Sequence, residues 1–260
     1  MSTPQLSASG NPSRCIAVAD QTERLCALVR DVDLSTPVPT CPGWTLADLI
    51  QHVGSVQRWF SVLLQLRVQE PPKSREVSLD LPERPELLPE WLAASMAVAT
   101  HAFESMDPDL PMWAWGEDQH ARFWVRRMLF ETLVHRADAE LALGITPQIA
   151  PGTAADGVDE FLVNLPYAGL FAPGVKEMRG SGETIRFKAI DVGDEWVMRL
   201  RPDGFGIVET PSTIPASSTI RGTAADLLLF LYGRLPHNAP TLKVTGDAAL
   251  VARWSVHSKF

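Results

Sequence analysis

Three residues in this sequence have the types and spacing to hold a metal ion. His52 falls on the apolar stripe of a helix, in line with Leu49 and Val56. An imidazole set among apolar neighbours needs a partner for each ring nitrogen. Much later in the chain, Glu131 and His135 stand four residues apart, so on a helix both project from one face. Trp124, Met128 and Ala142 share that row, which turns it toward a core or a cleft. A buried carboxylate is costly unless it is paired or bound to a cation. One histidine from one helix and a Glu/His pair from another make a set of N and O donors suited to zinc and similar divalent ions. Three protein ligands leave positions open for water or substrate, as catalytic rather than structural sites do. The same residues also allow a plainer arrangement. Glu131 and His135 would then be a hydrogen-bonded helical pair and His52 a satisfied core histidine, since Glu-x-x-x-His pairs arise often by accident.

The elements that would position these residues can be read from periodicity. Residues 1–12 are rich in Ser, Pro, Gly and Asn and read as a loose arm. Ile16, Ala19, Leu25, Leu28 and Val29 recur at helical spacing over 14–30, and the Pro- and Gly-rich run 36–43 stops that helix. Thr45 opens the next helix, with Asp48 three residues on in the manner of a capping box. Leu46, Leu49, Val53, Val56, Phe60 and Leu63 form its stripe, which runs to about residue 68. A Pro-rich, charged connection over 70–86 leads to a third helix over 88–105. A second long loop, 106–120, carries Trp113 and Trp115, and a fourth helix over 122–143 ends at Gly144. Four amphipathic helices with long loops predict a four-helix bundle over 13–150. Beyond Pro147 and Pro151 the pattern changes. A helix near 155–165 is followed by period-2 segments at 184–190, 195–200, 205–209 and 218–221, a helix at 223–231, a short strand at 242–244 and a helix at 247–254. The chain is therefore expected to be α+β, with a small α+β domain over 151–260.

Bulk properties narrow the partners. The chain of 260 residues can bury two modest cores. Its net charge is −8, and the acidity is concentrated in residues 1–150, which hold 12 Lys and Arg against 19 Asp and Glu. Such a balance does not neutralise phosphates, so no nucleic-acid partner is expected. No apolar run is long enough for a bilayer, so no membrane partner is expected, and the first ten residues lack the apolar core of a signal peptide. Cys15, Cys26 and Cys41 are an odd, low count without a C-x-x-C pair, which fits a reducing cytoplasm and excludes a disulfide framework or a zinc ribbon. Serine-hydrolase elbows, P-loops, Rossmann glycines and H-E-x-x-H are all absent.

The run from Cys41 through Pro42, Gly43, Trp44 and Thr45 to His52 resembles the start of the second helix in mycothiol-dependent maleylpyruvate isomerase-like proteins, a branch of the DinB-like metal-binding bundle superfamily. The run from Phe130 through Glu131 and His135 to Asp138 is similar to that family's second ligand segment. Arg221 to Leu228, Tyr232 to Arg234, and Val244 to Asp247 resemble its small second domain, which is sterol-carrier-like. The resemblance implies that His52, Glu131 and His135 bind a divalent metal, zinc first among Zn, Ni, Mn and Fe. Glu131, where many DinB-like bundles have a third histidine, implies the isomerase-like branch. The resemblance further implies mycothiol as cosubstrate and a small-molecule electrophile as the other partner. Arg234 is the residue expected to serve the active site, its planar fork suited to a substrate carboxylate. An arginine favourably placed at a helix C-terminus is the alternative, and Arg221 is a weaker rival.

Other residues carry lesser expectations. Cys41, ahead of a helix N-terminus, would be either a stabilised thiolate or a packed structural cysteine. Asp138 would either orient His135 or lie solvated beside Arg136. Trp113 and Trp115 would line a cleft or cover the bundle. His101, His120, His237 and His257 have no suggestive spacing. The leading expectation is an isomerase or S-transferase that activates a thiol on a metal, as a monomer or homodimer. The alternatives are a non-catalytic, metal-stabilised module that binds a small apolar ligand, and a biosynthetic enzyme on the same scaffold.

Overall fold

The structure, a computed structural model, describes residues 11–72, 77–209 and 213–259. Four helices come first: α1 (Asn11–Val29), α2 (Leu46–Leu66), α3 (Leu88–Glu104) and α4 (Ala121–Ala142). The expected arm lies outside the described residues as far as residue 10, and residues 11 and 12 already belong to α1 rather than to the arm. A proline in the first helical turn lacks only an amide that would go unpaired there. Helix α1 packs on α4 and α3, and α2 packs on α3 and α4.

The start of α2 is set by a reciprocal cap. Thr45 Oγ accepts from the Asp48 amide at 3.3 Å, and Asp48 accepts from the Thr45 amide at 2.8 Å. Its end is set by Arg67, which turns left-handed (φ 49°) and gives its amide to the carbonyls of Leu63 and Leu64. Midway, Gly54 lies against the ring of Trp91 on α3, so close that a Cβ there would fall 2.3 Å from the indole.

Two apolar clusters fill the bundle. One gathers Phe60, Leu63 and Leu64 of α2 with Phe103 of α3 and Phe123, Trp124, Met128 and Phe130 of α4. The other gathers Leu25 and Val29 of α1, Leu46, Leu49, Ile50 and Val53 of α2, Trp91 and Leu92 of α3, and Ala139 of α4. Helix α4 is buried along almost its whole length, charged residues included. Those charges find partners: Arg136, fully buried, donates through Nε to Gln21 at 2.7 Å and through Nη1 to Glu140.

The chain divides into two compact units after Pro147. The second opens with α5 (Pro151–Asn164), followed by two 3-10 turns at Leu165–Leu170 and Pro173–Glu177 that the periodicity does not reveal. Then come β1 (Thr184–Ala189), β2 (Glu195–Arg201), β3 (Gly204–Ile207), β4 (Ser218–Gly222), α6 (Ala224–Leu231), β5 (Lys243–Gly246) and α7 (Ala248–His257). The five strands form one mixed sheet in the order β3-β2-β1-β4-β5, antiparallel except where β1 pairs with β4. The architecture is α+β: a helical first part, then a small domain of sheet and helices. No helix among the described residues is long and apolar enough to cross a membrane.

Candidate metal centre

His52, Glu131 and His135 come together. One ligand atom from each lies within 4.8 Å of the other two. His52 Nε2 is 2.9 Å from Glu131 Oε1, and His135 Nε2 is 3.3 Å from the same oxygen. The two imidazoles meet edge to face with centroids 4.8 Å apart. Their convergence has local causes. His52 rides on the turn of α2 that the Leu49, Ile50 and Val53 contacts hold down. Glu131 and His135 share one face of α4 by helical spacing. His135 is buried, and the other two are half-buried.

A further layer surrounds the three. Asp138, with no exposed surface, lies 2.9 Å through Oδ2 from His135 Nδ1. It is therefore an orienting partner rather than a solvated acid, and it leaves Nε2 of His135 to face Glu131 and His52. Its other oxygen accepts from Thr40 Oγ1 at 2.6 Å, and Cys41 Sγ donates to Oδ2 at 3.4 Å. These contacts pin the loop before α2. That loop turns back at Gly43 (φ 86°), a left-handed position open to glycine, and the Trp44 amide reaches the Cys41 carbonyl at 3.0 Å. The turn lays Trp44 beside both imidazoles, 4.9 Å from His52 and stacked 5.9 Å from His135.

The electrostatics are those of a tightly paired cluster. Burial alone would raise the Glu131 carboxyl, but hydrogen bonds with His135 and His52 and the charges of His135 and Arg127 hold it well below the usual carboxylate range. Burial alone would lower His135, but hydrogen bonds with Asp138, Cys41 and Glu131, and the charge of Glu131, hold it well above the ordinary histidine value. The half-buried carboxylate and the buried histidine thus favour each other's charged forms, the histidine by holding a proton. A divalent ion would take the place of that proton. The donor set fits such an ion: two imidazole nitrogens and one carboxylate oxygen, with Asp138 behind one of the histidines.

Other expected residues fall elsewhere. Cys41 is not at the helix N-terminus, since the cap of α2 is Thr45, and the helix-end reason for an activated thiolate does not hold. Cys15 and Cys26 are buried, and burial pushes the Cys26 thiol up to about 11. Trp113 and Trp115 pack against Trp124 and Phe123 and so cover the bundle. Arg234 follows Gly233 (φ 75°) after α6 in the second unit, where its Nη1 donates to the Tyr232 carbonyl at 2.6 Å. Arg221 is exposed on β4. His101 and His237 are exposed, and His120 pairs with Asp118. The sequence reading missed Trp44, Thr40 and Arg127 as neighbours of the site. Arg127 had a usable signal, standing one helical turn before Glu131. The loop residues had none beyond the run they share with Cys41.

The profile of the mycothiol maleylpyruvate isomerase N-terminal domain matches residues 15–140, and that of the MDMPI C-terminal domain matches residues 153–253. The chain belongs to the mycothiol-dependent maleylpyruvate isomerase-like family. Two solved structures of a mycothiol-dependent maleylpyruvate isomerase share its fold. One, of a histidine-to-alanine mutant, is 14% identical with a TM-score of 0.59. The other is 16% identical with a TM-score of 0.57. Each comparison covers 92% of this chain and 94% of the other. Likeness to a UbiJ-SCP2 ubiquinone synthesis protein is slight: 15% identity over 42% of this chain and 94% of that one, with a TM-score of 0.32. No curated protein sequence matches the chain. Membership of the maleylpyruvate isomerase-like family supports an enzyme of mycothiol-dependent type.

Proposed function

We propose that this protein is a metal-dependent enzyme that activates a low-molecular-weight thiol, mycothiol, for addition to an electrophilic small molecule, as an isomerase or as an S-transferase. The observation that carries this reading is the convergence of His52, Glu131 and His135 from two helices onto one point. These three residues would hold a divalent ion, with zinc the first candidate. When bound, the ion would supply a Lewis acid that favours the thiolate form of the thiol.

The chain's own residues do the rest. Asp138 fixes the ring of His135, and Thr40 and Cys41 fix Asp138. Trp44 walls one side of the two imidazoles. In the isomerase version the thiol sulfur forms a bond to one carbon of a conjugated double bond, and the electron pair moves into the conjugated carbonyl. The former double bond turns as a single bond. The pair then returns, the carbon–sulfur bond breaks, and the thiol is regenerated. In the transferase version the carbon–sulfur bond persists and a proton or leaving group completes the exchange. Arg234 is proposed to take the carboxylate of an anionic substrate through its planar fork.

The test is elemental analysis of wild-type protein beside a His52→Ala, Glu131→Ala double variant, both purified without metal-affinity steps, followed by thiol-dependent turnover of maleyl electrophiles. About one equivalent of a divalent metal in the wild type and none in the variant is expected for a three-donor site. A folded wild type that takes up no metal on titration overturns the reading. The Arg234 role is checked by Arg234→Lys, which is expected to raise KM for a carboxylate-bearing substrate and to leave metal content unchanged.

A further inference from the structure

Glu131 gives its two carboxylate oxygens to different neighbours. Oε1 faces His52 and His135, at 2.9 Å and 3.3 Å. Oε2 accepts from Arg127 Nη2 at 3.3 Å. Arg127 precedes Glu131 by one turn of α4, and its side chain is only 5% exposed. A guanidinium stays charged in any such environment, and its planar fork gives the contact a direction. Burial and helical spacing together hold that fork where it is.

From this division of oxygens we infer that Arg127 is a positioning residue that makes Glu131 a one-oxygen donor. By occupying Oε2 it leaves Oε1 alone for an ion shared with His52 and His135, and so keeps a coordination position free for the thiol. The inference rests on the metal reading above and adds to it a cause for the open position. Carboxylates bind ions through one oxygen or two, and the three-donor set by itself does not decide between them. Arg127 also supplies charge. A divalent ion with the carboxylates of Glu131 and Asp138 sums to no net charge, and the buried guanidinium of Arg127 leaves the centre with one positive charge. The centre is thereby biased toward an anionic ligand, a thiolate.

The experiment uses Co2+ as the metal probe and 2-mercaptoethanol as the thiol probe, on the full chain. Visible absorption reads the coordination number, because four-coordinate Co2+ absorbs far more strongly than five- or six-coordinate Co2+. The wild type is expected to give the strong spectrum. Arg127→Met is expected to give a weak one as Oε2 joins the ion, and to bind 2-mercaptoethanol about tenfold more weakly. Arg127→Lys, which keeps the charge and one donor, is expected to restore part of both. A wild-type spectrum and thiol affinity in Arg127→Met overturn the inference while leaving the metal reading intact. A wild type that takes up no Co2+ overturns the metal reading itself. If the arginine variants do not fold, infrared difference spectra of the wild type on Co2+ loading decide the matter, with the Glu131 bands identified by their loss in Glu131→Gln. Widely split carboxylate stretches mark one-oxygen binding and sustain the inference, and closely spaced stretches overturn it.

Discussion

The two apolar clusters of the bundle differ in kind. One carries most of the aromatic rings: Phe60, Phe103, Phe123, Trp124 and Phe130 beside Leu63, Leu64 and Met128, with Trp59, Trp113 and Trp115 packed against it. The other is mainly aliphatic: Leu25, Val29, Leu46, Leu49, Ile50, Val53 and Leu92, with Trp91 as its large ring. Along α4 the donors Glu131 and His135 fall between the residues given to the first cluster, which end at Phe130, and Ala139 of the second. Along α2, His52 stands beside Val53 at the end of the aliphatic run and well before Phe60. The three candidate donors therefore fall in a short band between two apolar regions, which carry buried hydrogen bonds of their own at Gln57 and Ser95. The clusters set where the helices lie, and the band spends that rigidity on bringing three donors to one point.

If this division is real, damage to the aromatic cluster should appear as lost stability. Trp124 has no exposed surface, contacts Phe60 at 4.7 Å and Trp113 at 5.5 Å, and donates its indole N–H to the Trp113 carbonyl at 3.0 Å. Trp124→Ala is expected to cost about 3–5 kcal/mol in denaturant unfolding, from a cavity and an orphaned carbonyl. Leu49→Ala in the aliphatic cluster is expected to cost about 2–4 kcal/mol. Because Leu49 lies one turn from His52, it should also weaken metal binding. Equal loss of metal affinity in both variants would erase the distinction drawn between the clusters.

Within the polar band the expected effect shifts from stability to affinity. Asp138 contacts His135, Thr40 and Cys41 and touches no solvent. Asp138→Asn keeps the shape but can present an amide to Nδ1 of His135, loosening the ring. Partners of metal-bound histidines typically contribute 10–100-fold to affinity, so competition titration with a chelator should show a loss of about that size. An unchanged affinity would reduce Asp138 to a loop anchor.

Helical spacing made Glu131 and His135 legible as a pair on one face and His52 as a histidine on an apolar stripe, and the family resemblance rather than spacing joined the three into one candidate site. Glu131 and His135 four apart, and His52 on the stripe with Leu49, required no tertiary knowledge. The cap at Thr45 and Asp48 was equally readable, since its chemistry is local. The loop was not readable. Trp44 reaches both imidazoles only because Gly43 takes a left-handed turn and Thr40 is tied to Asp138, nearly a hundred positions along the chain (|i−j| = 98). Cys41 was read as either a helix-end thiolate or a packed cysteine, and no spacing reveals that its neighbour is a carboxylate from α4. The second unit was legible in its strands, whose period-2 patterns survive, and illegible in its 3-10 turns, which have no period long enough to detect.

Where α2 crosses α3, a smaller effect tests how tightly the aliphatic cluster is built. Gly54→Ala should gain up to about 1 kcal/mol of helix propensity. Against this, the new Cβ meets the Trp91 ring at 2.3 Å, and forcing a packed ring aside costs about 1–3 kcal/mol. Net destabilisation of about 1 kcal/mol is expected. A stabilised variant would show that the crossing has slack and that the cluster does not fix the placement of α2 and His52.

The smallest expected effect lies at the helix end nearest the band. Asp48 is exposed, and the Thr45 amide and hydroxyl hold its carboxyl below the ordinary value. A depressed carboxylate stabilises the fold above its unfolded pKa of about 3.9, and that contribution is lost as pH falls through the lower folded value. Asp48→Asn retains an acceptor for the Thr45 amide but not the charge at the start of the helix. Solvent screening keeps the difference small, about 0.5 kcal/mol at neutral pH, and it should close toward zero below about pH 4. Denaturation midpoints for wild type and variant across that range would show the curves meeting at the acid end. A gap that persists at low pH would mean that the cap acts through its hydrogen-bond geometry alone, and that α2 owes nothing to charge in setting the register of His52.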